Sequence, residues 1–268
     1  MLKKPFLYLL LLTGIVIFSS CSDYQKLLKS SDNELKYEKA IEYYEDGDYY
    51  RAMQLFEQLN MVYRGTDKAE KLTYYMAYCY YNQEEFIMAS YYFKRYANSF
   101  PTTDRAEECL YMSAYCQYLL SPVYSLDQSN TYEAIKELQL FINKYPDSDR
   151  VSKANGLIDD LRAKLEKKAF EVAELYFKME DYEAAITSFE NLLQQFPDTE
   201  YREKVLFYTL KSYFEYAMKS IEKKKPERLA MTMESFENFI FTYPETDFLK
   251  EARTIQKETE KELNKYEE

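Results

Sequence analysis

The chain has 268 residues, with 30 Tyr and 17 Phe but only 4 Gly and no His or Trp. So little glycine argues against Rossmann folds, phosphate-binding loops and β-sandwiches, which need it at turns and ligand contacts. Zero histidine removes Ser-His-Asp triads, Cys-His pairs and most catalytic zinc sites, and a net charge of −11 is opposite in sign to the footprint of a nucleic-acid binder.

In chain order, Lys3 and Lys4 precede an apolar run from Phe6 to Phe18. As a helix this run spans about 20 Å, short of a hydrocarbon core of about 30 Å. Behind a basic start it reads as a secretory signal over residues 1–20. It ends Phe18-Ser19-Ser20-Cys21, and small residues directly before a cysteine resemble the lipobox of bacterial lipoproteins. That resemblance implies cleavage before Cys21 and lipid attachment there, palmitate included. An ordinary signal peptide with a coincidental cysteine is the other reading. One acyl chain holds a protein only marginally, so several on Cys21 make a firm anchor. Ser22 rather than Asp after the cysteine implies, by the same resemblance, the outer membrane. With Asp23 the only acid in the next stretch, the expected side is the periplasm. Residues 21–32 read as a lipidated tether.

Beyond the tether one frame recurs five times. Its second half reads Ala52…Phe56…Arg64, Ala89…Phe93…Pro101, Ala134…Leu138…Pro146, Ala185…Phe189…Pro197 and Thr232…Phe236…Pro244. An aromatic precedes the last position every time: Tyr63, Phe100, Tyr145, Phe196 and Tyr243. A hydroxyl–acid pair follows it: Thr66-Asp67, Thr103-Asp104, Ser148-Asp149, Thr199-Glu200 and Thr246-Asp247. Upstream, another small residue (Ala40, Ala77, Ala114, Ala173, Ser212) marks the first half. Small residues let paired helices approach, and proline ends the second helix while pushing its predecessor out of the α region. The hydroxyl residue suits an N-cap, and the acid suits the first turn of the next helix. The frame resembles the tetratricopeptide repeat, whose units must stack to bury their apolar faces.

The expected fold is all-α, a superhelical array of five such repeats at 33–66, 70–103, 107–148, 166–199 and 205–246. The third and fifth carry longer inter-helix loops, and the fifth matches the frame least well. One long helix is expected from about Arg150 to Met179, and 248–264 reads as a polar capping helix.

Counting each first helix so that its small residue is position 8, positions 5, 9 and 12 face the concave groove in this repeat family. In repeats one to three these are Tyr37, Ile41, Tyr44, Tyr74, Tyr78, Tyr81, Tyr111, Tyr115 and Tyr118. Repeat four gives Phe170, Glu174 and Phe177, and repeat five gives Thr209, Tyr213 and Tyr216. Spacings of four and three place the rings on one side of a helix. The functional reading is a peptide groove, since tyrosine offers large area, few rotors and a polar tip. The other reading is packing between neighbouring helices.

A basic cluster, Lys219, Lys223, Lys224, Lys225 and Arg228, breaks the acidic background in the fifth-repeat loop. It reads either as a partner contact or as a solvated loop. The third-repeat loop from Ser121 to Asn130 is apolar enough to be another contact. Cys109 and Cys116 are about 10.5 Å apart along one helix, beyond disulfide reach, and read as small buried residues. No paired carboxylates stand out for catalysis, so no enzyme activity, metal or cofactor is expected.

The lipobox followed by five repeats, with their aromatic-Pro-x-hydroxyl-acid endings and an enlarged third unit, resembles the BamD family. These are lipoproteins of the bacterial outer-membrane β-barrel assembly machinery. The resemblance implies a periplasm-facing scaffold whose C-terminal half, 149–268, binds the periplasmic repeats of a BamA-type barrel insertase. It implies that the N-terminal half, 33–148, receives unfolded outer-membrane β-barrel proteins. Two other readings stand beside it: a pilotin-like scaffold for secretins or pili, and a SusD-like surface glycan-binding lipoprotein. The missing tryptophan counts against the latter.

Overall fold

The computed structural model describes residues 23–266. Lys3, Lys4 and the Cys21 lipobox lie outside the described residues. Residues 23–29 form a helix, α1. It is followed by α2 (Asn33–Glu45), α3 (Tyr49–Val62), α4 (Lys68–Asn82), α5 (Phe86–Ser99), α6 (Arg105–Leu119) and α7 (Ser129–Lys144). Then come α8 (Val151–Lys178), α9 (Tyr182–Gln195), α10 (Arg202–Met218), α11 (Lys225–Thr242), α12 (Leu249–Leu263) and a short 3-10 turn, Asn264–Tyr266. Among the described residues there is no strand. The five expected repeats are the hairpins α2–α3, α4–α5, α6–α7, α8–α9 and α10–α11, with α12 as the terminal helix. The long helix is present as the 28 residues of α8.

The turns within hairpins one, two and four follow one construction. In the first repeat, Asp48 N–H donates to Tyr43 O at 2.8 Å and Gly47 N–H to Tyr44 O at 3.1 Å. This pair of bonds satisfies carbonyls left open at a helix end, and it needs a left-handed residue between them. Gly47 supplies it with φ +79°. Glu84 (φ 61°) and Glu180 (φ 64°) hold the same place in repeats two and four, where a side chain makes that conformation costly. Asp48 and Asp181 then cap α3 and α9 through bonds to the Arg51 and Ala184 amides.

The turns between hairpins show what proline does. Phe100, Phe196 and Tyr243 end their helices with φ near −130° and ψ of 55°, 73° and 74°. Each precedes a proline, whose ring bars the α region to it. Tyr63, followed by Arg64, keeps φ −95° and ψ 9°. The hydroxyl residue, expected as the N-cap, lies one residue before it at α4 and α6 (Asp67, Asp104) and two before it at α10 and α12 (Tyr201, Phe248). Thr66 and Thr103 donate back to the Tyr63 and Phe100 carbonyls at 2.7 and 2.9 Å. Ser148, Thr199 and Thr246 instead accept from the amide two residues on. These are local hydroxyl turns rather than caps on the N2 or N3 amides.

The described residues fall into two compact units. The first comprises residues up to Ser121 and Ser129–Ile158, the second Pro122–Gln128 and Asp159 onward. The division lies inside α8. Helices α2 to α7, and α9 to α12, pack mainly on their neighbours in sequence. In the first unit the small residues Ala40, Ala52, Ala77, Ala89, Ala114 and Ala134 are fully buried, as are Phe56, Phe93, Tyr96 and Phe141. Ser90 and Ser113 bring α5 and α6 together, each hydroxyl donating to the other's carbonyl at 3.0 Å. In the second unit Phe189, Phe207, Leu210 and Phe239 lie in the core with Ala252 and Ile255 of α12.

The segment expected as a tether is anchored. Tyr24 on α1 is buried, and its hydroxyl donates to Gln54 Oε1 at 2.7 Å on α3. Among the described residues no helix is long and apolar enough to cross a membrane.

Candidate functional site: a tyrosine face with charged partners

None of the eight tyrosines singled out in repeats one to three stands free in solvent. Tyr37 and Tyr111 are buried, while Tyr44, Tyr74, Tyr78, Tyr81, Tyr115 and Tyr118 are half-buried. The rings touch one another. Tyr74 and Tyr78 lie 4.8 Å apart centre to centre, and Tyr78 meets Tyr81 at 6.3 Å. Tyr111, Tyr115 and Tyr118 form a stacked row at 6.2 and 5.9 Å. Tyr44 leans on Tyr75 of α4 at 4.7 Å, linking repeat one to repeat two. The inner edge of the row rests on the core, with Tyr78 edge-on to Phe93 at 4.9 Å and Tyr111 against Phe141 at 5.4 Å. Six of the eight rings thus keep part of their surface accessible while packing on their neighbours.

Polar tips need partners once half-buried, and one carboxylate serves two of them. Glu108 of α6 accepts from the hydroxyls of Tyr78 and, at 3.4 Å, Tyr74. Burial first, and then the bond to Glu108, drives the Tyr78 phenol well above its ordinary value. Burial likewise raises Tyr44, Tyr74 and Tyr81. For Tyr81 the neighbouring Tyr115 adds to the effect. These phenols stay protonated, and those of Tyr74 and Tyr78 donate. The Tyr111 hydroxyl is buried without a hydrogen-bond partner.

Cations cover the outer ends of the rings. Lys68 lies 4.9 Å from the centre of Tyr37, Arg105 4.5 Å from Tyr74, and Arg150 6.0 Å from Tyr111. Lys153 adds contacts to Tyr111 at 5.9 Å and Tyr115 at 5.5 Å. A cation over an aromatic face is worth about 0.5–1 kcal/mol at exposed sites. Sequence reasoning missed Glu108 and all four cations. The signal was present: Lys68, Arg105 and Arg150 each directly follow a hydroxyl–acid pair. In repeats four and five that place holds Tyr201 and Phe248, and there rings stack instead. Tyr201 lies 4.8 Å from Phe170, and Phe248 lies 4.3 Å from Phe207.

The fifth repeat corrects the frame. Phe207 meets Phe239 at 5.7 Å, as Tyr74 meets Tyr96 at 5.9 Å and Tyr111 meets Phe141. The groove register on α10 is therefore Phe207, Lys211 and Phe214, not Thr209, Tyr213 and Tyr216. Fully buried Leu210 stands where the other first helices have a small residue, and Ser212, also buried, imitated it. Thr209 and Tyr213 instead line a cleft with Glu190 of α9 and Met231 and Glu234 of α11. Tyr213 and Tyr216 donate to Glu190 and Glu183.

The basic cluster is largely used internally. Lys219 pairs with Glu180 at 2.6 Å and contacts the Tyr182 hydroxyl at 3.1 Å. Arg228 lies 3.6 Å over the Tyr216 ring and donates to the Tyr216 and Ser220 hydroxyl oxygens. Lys225 is 3.7 Å from Glu262. Lys223 and Lys224 remain exposed. Nor is the 122–128 loop loose: Gln128 donates to the carbonyls of Val123 and Leu126 at 2.9 and 3.0 Å, while Val123 and Leu126 stay exposed. Cys79, Cys109 and Cys116 are free and buried. Burial pushes the Cys79 and Cys116 thiols up to about 12, far from thiolate chemistry. Among the described residues no cluster of His, Cys, Asp or Glu could hold a metal.

Stacked helical hairpins carrying an aromatic, charge-trimmed face define a tetratricopeptide-type repeat fold. The chain belongs to the YfiO family of outer membrane lipoproteins, whose sequence pattern matches residues 29–229. It is similar to the outer membrane protein assembly factor BamD of Buchnera aphidicola (subsp. Acyrthosiphon pisum), 30% identical over 102 residues. That match covers 38% of this chain and 41% of the relative, so the chain spans about two fifths of it. A crystal structure of nearly identical TPR-like repeats from Podosopora anserina, assigned as a kinesin light chain, aligns at 14% identity with a TM-score of 0.32. It covers 85% of this chain and 96% of that one.

Proposed function

We propose that the protein is a BamD-like scaffold of outer-membrane β-barrel assembly, lipid-anchored through Cys21 and facing the periplasm. Its tyrosine face on repeats one to three receives unfolded barrel proteins. Its C-terminal repeats bind the periplasmic repeats of a barrel insertase, with exposed Lys223 and Lys224 as contact candidates. Family membership supports the assembly role. The observation that carries the substrate reading is the row of half-buried tyrosines with Arg105 over Tyr74 and Lys153 over Tyr115. Ring edges suit aromatic side chains of an extended segment, protonated phenols suit its carbonyls, and the cations suit a chain-terminal carboxylate. A photocrosslinker at Tyr78, Tyr81 or Tyr115 is expected to capture a barrel C-terminal peptide. Capture from α10 positions but not from these would overturn the assignment. Copurification of a barrel insertase, weakened by Lys223→Glu with Lys224→Glu, tests the other half.

A further inference from the structure

The segment nearest the anchor is bolted to repeat one by a small, specific joint. Tyr24 is 6% exposed and packs edge-on against Tyr43 at 5.6 Å. Its hydroxyl reaches Gln54 Oε1 at 2.7 Å and the Arg51 carbonyl at 3.2 Å, and the Arg51 guanidinium sits 5.3 Å over its ring. At the other end of α1, buried Lys36 donates to the Leu28 carbonyl at 3.1 Å and to Gln58 Oε1 at 2.7 Å. That bond satisfies a carbonyl at the helix C-terminus and places a positive charge where the helix dipole favours it. Both ends of a helix of about two turns are thus held. Cys21 stands two residues before Asp23, where this joint begins.

Beside the joint lies a cleft of about 430 Å³ between α1 and α2, lined by Asp23, Lys26, Leu27, Ser30, Leu35, Lys39 and Tyr43. Its apolar floor includes Leu35, 41% exposed. Its two lysines are each matched: Lys26 pairs with Asp23 at 2.8 Å and Lys39 with Glu42 at 2.6 Å. The rim therefore offers both signs of charge, close together, above an apolar base. Resting on the reading that Cys21 is lipidated, we infer that this cleft is a membrane-docking surface for zwitterionic phospholipid. The ammonium and phosphate of one headgroup meet the paired acids and lysines, and Leu27 and Leu35 enter the acyl boundary. Several acyl chains at Cys21 hold the protein at the bilayer, two residues give almost no slack, and the α1 joint then turns this particular face of repeat one toward the lipid. A purely anionic surface fits less well, because each lysine is already neutralised.

The test uses the full lipidated protein in vesicles of phosphatidylethanolamine and phosphatidylcholine. A fluorophore is placed at Leu35→Cys or, as a control on the same repeat, at Met61→Cys, which is 86% exposed in the native chain. Strong quenching of the Leu35 probe by spin-labelled lipid, several-fold above the Met61 probe and little changed by salt, is the expected result. Tyr24→Ala should remove that difference while the protein still sediments with vesicles. If the protein fails to sediment, the anchor reading falls and the docking falls with it. If it sediments but both probes remain equally open to a water-borne quencher, the anchor stands and the docking alone is overturned. Quenching that survives Tyr24→Ala unchanged overturns the role of the joint, and quenching that requires anionic lipid overturns the headgroup assignment.

Discussion

Repeats one to three and repeats four and five solve one packing problem with different chemistry. At the place where each first helix meets the start of the next hairpin, the first unit puts a cation over a tyrosine, as with Arg105 and Tyr74. The second stacks ring on ring, as with Phe248 and Phe207. A charge over a phenol leaves a wet, adjustable edge, whereas two stacked rings close it. The first arrangement suits a surface that changes partners, and the second suits a rigid platform.

The largest break in this comparison is Phe207→Ala. The side chain is 2% exposed between Phe239 and Phe248, so its loss should cost about 3–5 kcal/mol in thermal or urea unfolding. Alkali should separate the units next. Burial raises Tyr24 to about 12 and lifts Tyr44, Tyr74 and Tyr78. The folded state thus keeps phenol protons that the unfolded chain releases from about pH 10. The phenols' contribution to stability should be constant below that pH and fall as pH rises above it. The fall should come first in repeats one to three, followed by amide exchange. Glu108→Ala strands two hydroxyls at once and should cost about 1–3 kcal/mol, with little effect on peptide binding at Tyr115. Arg105→Ala should cost about 0.5–1 kcal/mol yet weaken peptide capture more than its stability effect suggests. The smallest effect is a gain. Glu84→Gly relieves a left-handed residue and should add about 0.5–1 kcal/mol to Tm-derived stability. Glu180→Gly should add less, because Glu180 also pairs with Lys219.

Hairpin boundaries were legible because they depend on neighbours in sequence. Proline acts on the residue before it, and the small residues recur at fixed spacing. The contacts between tyrosines three and four apart, as in Tyr74, Tyr78 and Tyr81, were legible for the same reason. Three things were not. On α10 the helices meet at Leu210, and a nearby Ser212 had the size the frame sought, so only ring contacts reveal the true register. Lys68, Arg105 and Arg150 look like ordinary charges opening a helix, and their meaning arises only when the next hairpin lands on the preceding tyrosine. Tyr24 is a lone aromatic in a polar stretch, and nothing near it in sequence announces Gln54 or Tyr43.

Because α9 to α12 pack mainly on their neighbours in sequence, α12 is, among the described residues, the end of the second unit held from one side. Helix α12 covers α10 and α11, and its inner side rests on little more than Ala252, Ile255 and Thr259. Opening should therefore run like a zipper from that end. α12 sheds its amide protection first, α11 follows, and a protease given short access should trim from the C-terminus inward and leave α9 intact.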